Sequence, residues 1–345
     1  MKANVLYGIN DLKYIDVQVP EIPHGWVLLN VKAAGICGSD IARVFKTGTY
    51  KFPTIIGHEF AGEVVKVNSG DEYLLNQRCA VFPLIPCMEC DSCRQGHYET
   101  CIRYNYLGSR CDGGFAEYVA VPKWNLLPLH DNISMKSAAM FEPAAVGLHA
   151  LRRIKFRIGE SIAIFGPGTI GCILVRLAQI CGAKQVVVIG RSQSKLDFIT
   201  ETFGVATINS TKVDVNETIM RLTCGEGVDV SVEGTGAGAS LNTCIDITKS
   251  FGRVLTLGNP IDDIKLNKNI YWKILRKELM LVGTWNSAFG TNACDWETIK
   301  DFVSVGTLSL EKLVTHTFPL CDLRKGLDIV RDKNVYSNKV MIVNE

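Results

Sequence analysis

The chain has 345 residues, 47% of them hydrophobic and 21% charged, with a formal net charge of +2. That length exceeds what one ordinary core fills and calls for two domains. The near-neutral balance, without lysine or arginine clusters, excludes the basic footprint of a nucleic-acid partner, and no apolar run approaches the length of a membrane span.

Residues 1–8 contain no apolar core ahead of a small-residue cleavage site, so the expected localisation is cytoplasmic, with no membrane partner. Thirteen cysteines are present, several alone in apolar segments (Cys172, Cys181, Cys244). They read as small core residues in a reducing compartment.

In chain order, residues 1–125 read as short strands, with alternating segments such as Trp26-Val-Leu-Leu-Asn-Val-Lys-Ala and Glu63-Val-Val-Lys-Val broken by Gly, Pro and Asn. This predicts a barrel-like β domain with long functional loops. Cys87, Cys90, Cys93 and Cys101 are spaced closely enough to close a tetrahedron around one zinc and leave no position free, which is a structural site. Cys37, His58-Glu59 and Glu142 form a second set: one thiolate, one imidazole and one carboxylate leave a fourth place for water or substrate. The expectation is two zinc ions per chain, one structural and one catalytic. Asp40 is placed to accept the second ring N–H of His58, and Ser39 to take the proton of a bound alcohol and pass it towards cofactor ribose and solvent.

After Glu142-Pro143 the spacing turns helical over 144–156, with Pro143 suited to a first turn. Strands at 161–165, 185–189, 206–209, 228–232 and 253–257 then alternate with helices at 170–181, 194–203, 215–222 and 239–249. Strands apolar on both faces and joined by helices predict a buried, doubly wound parallel sheet. Gly166-Pro-Gly168-Thr-Ile-Gly171 follows the first of these strands and opens a helix, where amides at Thr169 and Ile170 face a pyrophosphate. The second strand ends in Gly190-Arg191-Ser192 in place of an acidic residue. Arg191 offers a fork and Ser192 a hydroxyl to a 2′-phosphate, so NADP(H) is expected over NAD(H), and an aspartate at 190 is expected to favour NADH. Past residue 285 the alternation stops and strands near 316–320 and 339–343 return to the first domain. The expected domains are 1–150, 151–284 and 285–345.

Taken together, Gly35-Ile-Cys-Gly-Ser-Asp40, Gly57-His-Glu-Phe-Ala-Gly62, the four-cysteine lobe, Asp112-Gly-Gly-Phe-Ala-Glu-Tyr118, Phe141-Glu-Pro143, Gly166-Pro-Gly-Thr-Ile-Gly171 and Leu275-Arg-Lys-Glu-Leu279 resemble the zinc-dependent medium-chain dehydrogenases over essentially the whole chain. The likeness is greatest to their polyol branch, which includes sorbitol, threonine and galactitol-phosphate dehydrogenases. The resemblance implies an α/β protein with a GroES-like β-barrel catalytic domain split around a Rossmann domain, and an active site in the cleft between them. It implies catalytic zinc on Cys37, His58 and Glu142, with Glu59 as an adjacent or exchanging carboxylate, and structural zinc on the four cysteines. It also implies cofactor contacts at Lys195, Thr235, Leu257, Gly258 and Asn259, and a homodimer or homotetramer. Two departures stand out: Gly190 replaces the aspartate of NAD-linked members, and Ala42 stands where some relatives have a relay histidine.

The implied reaction moves a hydride between a nicotinamide cofactor and a secondary alcohol or ketone of a polyol or polyol phosphate. Two other readings stay open: a zinc-independent quinone or enoyl reductase, and a non-catalytic NADPH-binding redox sensor. Arg110, Tyr50, Lys51 and Trp285 are candidates to line the cleft, with Arg110 or Lys51 as holders of a sugar phosphate.

Overall fold

A computed structural model describes residues 1–260, 262–290 and 294–344. The chain divides into two compact units, residues 1–145 with 287–345, and residues 146–286. Among the described residues no helix is long and apolar enough to cross a membrane.

The first unit is built on the strand Trp26–Gly35, which pairs antiparallel with Glu59–Lys66, Tyr118–Pro122 and Lys339–Val343. Hydrogen-bonded order runs Leu126–Pro128, Arg78–Val81, Glu59–Lys66, Trp26–Gly35, Lys339–Val343, Val314–Phe318, with Tyr118–Pro122 also on the central strand. Alternation along Trp26–Gly35 sends Val27, Leu29 and Val31 into a core shared with Phe60, Val64, Val121 and Ile342. The register then decides where chemistry can happen. Gly35 faces Glu59 across one strand pair and Met341 across the other. Cys37, two residues past one strand, and His58, one residue before the next, therefore meet at the same sheet end. A side chain at Gly35 would collide with the Glu59 carboxylate, so glycine is required there.

The second unit is the expected doubly wound sheet, six parallel strands in the order Ala206–Asn209, Gln185–Gly190, Ser161–Phe165, Val228–Glu233, Thr248–Thr256, Met280–Gly283. Ala163, Phe165, Val187, Ile189, Val228 and Val254 are buried in its core, which is why these strands read as continuous apolar runs. Phe165 is in register with Ile189 on one side and Glu233 on the other, so the strand ends line up at the switch point where such sheets take ligands. The last strand, Met280–Gly283, and the helix Lys268–Arg276 extend the alternation beyond the elements expected from sequence.

Candidate active site

The short helix Gly38–Ala42 begins at Cys37 and runs directly into the π-helical turn Arg43–Thr47. Asp40 Oδ2 accepts the Cys37 backbone N–H at 3.0 Å, which ties the helix start to the thiol. One ligand atom each from Cys37, His58 and Glu59 lies within 4.8 Å of the others. Thiolate, imidazole and carboxylate on one spot form a donor set suited to zinc. Asp40, fully buried, sets its Oδ1 3.4 Å from His58 Nδ1. Arg43 Nη1 lies 3.4 Å from the same nitrogen, and the Cys37 side chain also hydrogen-bonds the ring. Burial opposes charge on His58, yet Asp40 and Cys37 together hold it well above its usual value.

Glu142, in the first turn of the helix Phe141–Arg153, stands outside the 4.8 Å group but close to it. Tyr106 Oη donates to Glu142 Oε1 at 3.3 Å, and the Tyr106 ring lies 5.9 Å from that of His58. Desolvation pushes the Glu142 carboxyl up to about 7 against the pull of His58, with Glu59 adding to the push. Glu59 itself is countered by Lys339, whose Nζ donates to Glu59 Oε2 at 2.5 Å and to the Ile36 carbonyl at 3.2 Å. Both side chains are almost fully buried. Ser39 Oγ accepts from Arg43 Nη1 at 2.9 Å, and the same nitrogen lies 3.0 Å from Asp40 Oδ1.

Sequence reasoning missed Arg43, Tyr106 and Lys339. Arg43 carried a signal, since it sits four residues beyond Ser39 and thus on the same helical face. Tyr106 and Lys339 carried none, because only folding brings them to the site.

Cys87, Cys90, Cys93 and Cys101 converge as the spacing requires, their sulfurs all within 4.8 Å. Zinc–sulfur bonds of about 2.3 Å in a tetrahedron imply sulfur separations of about 3.8 Å. The Cys90–Cys93, Cys90–Cys101 and Cys87–Cys93 separations are 3.5, 3.8 and 4.0 Å. Backbone amides of Glu89 and Cys90 draw the Cys87 thiol down to about 6, while burial pushes Cys93 up to about 12. Four sulfurs this close favour a cation among them.

In the second unit Gly166 adopts φ of +113° and Gly168 precedes the helix Thr169–Ile180. A side chain at Gly171 would collide with the Gly166 carbonyl, so helix and turn pack with no room to spare. Thr169 and Ile170 form the first turn, at the helix end whose dipole favours an anion. Gly190 is closed rather than open: a Cβ there would lie 2.5 Å from Pro167 Cγ. A side chain at 190 would therefore press on the glycine-rich turn itself. Arg191 is exposed, Ser192 stands at the start of the next helix Gln193–Phe203, and Lys195 is half-buried in that helix's first turn. Thr235 donates through N and Oγ to Glu233 Oε1 at 2.7 and 2.5 Å, and the Leu257 and Gly258 amides reach the Glu233 carbonyl at 2.9 Å. Asn259 packs its carbonyl against Gly236. Thr235, Leu257, Gly258 and Asn259 therefore gather at the strand ends beside Gly166.

Residues 23–131 match the family model of the alcohol dehydrogenase GroES-like domain, and residues 169–304 that of zinc-binding dehydrogenase. Galactitol 1-phosphate 5-dehydrogenase of Escherichia coli (strain K12) is 32% identical over 329 residues, covering 94% of either chain. Sorbitol dehydrogenase of Bombyx mori is 32% identical over 341 residues, covering 95% of either chain. The crystal structure of galactitol-1-phosphate dehydrogenase from Escherichia coli aligns with a TM-score of 0.93 at 31% identity, covering 99% of this chain and 100% of that one. The first family match spans Cys37, His58 and the four-cysteine lobe.

Proposed function

We propose that this chain, which belongs to the zinc-dependent medium-chain dehydrogenases, moves a hydride between NADP(H) and a secondary alcohol or ketone of a polyol or polyol phosphate. One observation carries the reading: Cys37, His58 and Glu59 bring three different donor types to one sheet end, with Ser39 and Asp40 beside them. Zinc held by Cys37, His58 and Glu142, with Glu59 as the exchanging carboxylate, would act as a Lewis acid on the substrate oxygen. A nicotinamide dinucleotide would supply or accept the hydride.

The chain's own residues do the rest. Asp40 fixes the His58 tautomer through Nδ1 and leaves Nε2 for the metal. Arg43 holds the Ser39 hydroxyl in one place, from which Ser39 takes the substrate's proton and returns it in the reverse direction. With Ala42 in place of a relay histidine, that proton leaves by water or the cofactor ribose. The amides of the 166–171 turn receive the pyrophosphate, and Arg191 with Ser192 the 2′-phosphate.

A panel of polyols, polyol phosphates and matching ketoses, run with both cofactors while bound zinc is measured, tests the reading. Cys37→Ser and Glu142→Ala are each expected to lower turnover by at least about 10³-fold, the scale of several kcal/mol lost at a metal centre. Full activity in either variant, or turnover indifferent to chelators, would overturn it in favour of a metal-independent reductase.

A further inference from the structure

Among the described residues, Arg110 is a cation without an anion. Its Cζ lies 4.1 Å from the Tyr50 ring centroid and 4.4 Å from that of Tyr104, so the planar guanidinium rests on two aromatic rings. Its Nε is buried and has no hydrogen-bond partner among the described residues, and no described carboxylate pairs with it. Arg103, seven residues earlier in the same loop, is instead paired with Glu89 at 2.9 Å. Asp112, the acid nearest in sequence, is engaged by the Ile55 amide at 2.9 Å. A buried donor left unmade is unfavourable and asks for a ligand.

The turn that carries Arg110 is rigid and anchored beside the metal donors. The Arg110 amide reaches the Tyr106 carbonyl at 2.9 Å, and the Gly108 amide reaches that of Cys111 at 2.8 Å. Gly108, at φ of +80°, and Gly113 both pack so tightly on Gly57 that neither admits a side chain. Gly57 immediately precedes His58. Ring contacts lead the same way, from Tyr104 to Tyr106 at 6.1 Å and from Tyr106 to His58 at 5.9 Å. Lys51, next to Tyr50, adds a second positive charge within electrostatic reach of Cys111.

We propose that Arg110 is the specificity-determining residue for a phosphorylated polyol, its fork gripping the phosphate monoester while the reacting carbinol lies at the Cys37 and His58 centre. This rests on the dehydrogenase reading of that centre. A monoester carries nearly two negative charges at neutral pH and three acceptor oxygens, which suits a guanidinium with an ammonium nearby better than a singly charged carboxylate does. The Tyr50 and Tyr104 rings restrict the fork before the ligand arrives, which reduces the ordering left to do on binding.

The test compares a hexitol 1-phosphate with its parent hexitol in wild type, Arg110→Gln and Arg110→Lys, together with calorimetric titration of inorganic phosphate. The ratio of kcat/KM for the phosphorylated over the free hexitol is expected to fall about 10- to 100-fold in Arg110→Gln, the range of one charge-assisted contact, and to recover in part in Arg110→Lys. The heat of phosphate binding is expected to vanish in Arg110→Gln. An unchanged ratio, including one in which both substrates fail together, would overturn the assignment, as would a preference for a hexonate over the phosphate. Wild type that binds phosphate through Arg110 yet oxidises neither alcohol would support the anion site and sink the dehydrogenase reading alone.

Discussion

Gly190 has a packing role that the sequence does not display. The missing acid is visible in Gly190-Arg191-Ser192, but the reason for glycine is the Pro167 ring pressed against it. Two substitutions separate steric from electrostatic effects. Arg191→Ala is expected to weaken NADPH by about 1–3 kcal/mol and to leave NADH within a factor of about two, because it removes a charge-assisted contact and nothing else. Gly190→Asp is expected to weaken both cofactors by about tenfold or more, since its Cβ displaces the turn that both dinucleotides share. Fluorescence titration of each variant with both cofactors checks this. A clean switch to NADH in Gly190→Asp would show that the turn yields easily. The donors Cys37 and His58 were readable for a local reason, namely glycines beside them that clear the backbone. Lys339 was not, because a lysine in an apolar strand looks like an edge residue until its partner is known.

At the scale of elements, Asp229 ties three strands of the parallel sheet together. Its Oδ2 accepts the Ser161 amide at 2.8 Å and hydroxyl at 2.6 Å, its own amide donates to Ser161 Oγ at 3.0 Å, and Lys249 pairs with it from the next strand. Burial pushes its carboxyl up, but Lys249 and Ser161 outweigh burial and hold it at about 2. Because the folded value is depressed below the unfolded one, the stabilisation is fully present above about pH 4 and is lost as pH falls through about 2. Asp229→Asn is therefore expected to lose about 2 kcal/mol in urea unfolding at pH 7, with about half of that difference remaining at pH 3. A difference independent of pH would contradict the ionic account. Most strands of this sheet were legible because burial on both faces makes their sequences mainly apolar, the buried Ser161, Asp229, Ser231 and Glu233 being exceptions. The strand Met280–Gly283 was not, since it is four residues long with Met280 and Leu281 exposed. Sequence reading also misses the helices Asp295–Ser304 and Leu323–Arg331, although Asp295 and Glu297 at the start of the first offer the usual acidic signal.

At the scale of the whole molecule, one unit brings together two groups of side chains that could each hold a metal ion. The four-cysteine lobe buries Cys90, Cys93 and Cys101, with only Cys87, Tyr98 and Tyr104 packed against them, so a metal bound there would add directly to its folding stability. Cys93→Ser is expected to reduce bound zinc from two to one per chain, to lower Tm by about 5 °C or more, and to open residues 87–101 to proteolysis. Elemental analysis and a thermal scan measure both, and an unchanged Tm with one zinc lost would show that the lobe is held by its backbone alone. Both clusters were legible in the residues because zinc constrains donor type and number more than it constrains sequence distance. What could not be read was the register that delivers Glu59 beside Lys339 and the glycine packing that sets the Arg110 turn on Gly57, since each is a property of strands meeting and not of any one segment.

The Glu59–Lys339 pair also orders events in time. During synthesis the carboxylate emerges 280 residues ahead of the ammonium that neutralises it, a delay of roughly 15–60 s at ordinary rates of translation. Until then Glu59 lacks the cation that accompanies its burial in the folded chain, and burying a carboxylate alone is costly. A chain cut before residue 339 is therefore expected to lack both the cation that faces Glu59 and the strand that pairs with Trp26–Gly35.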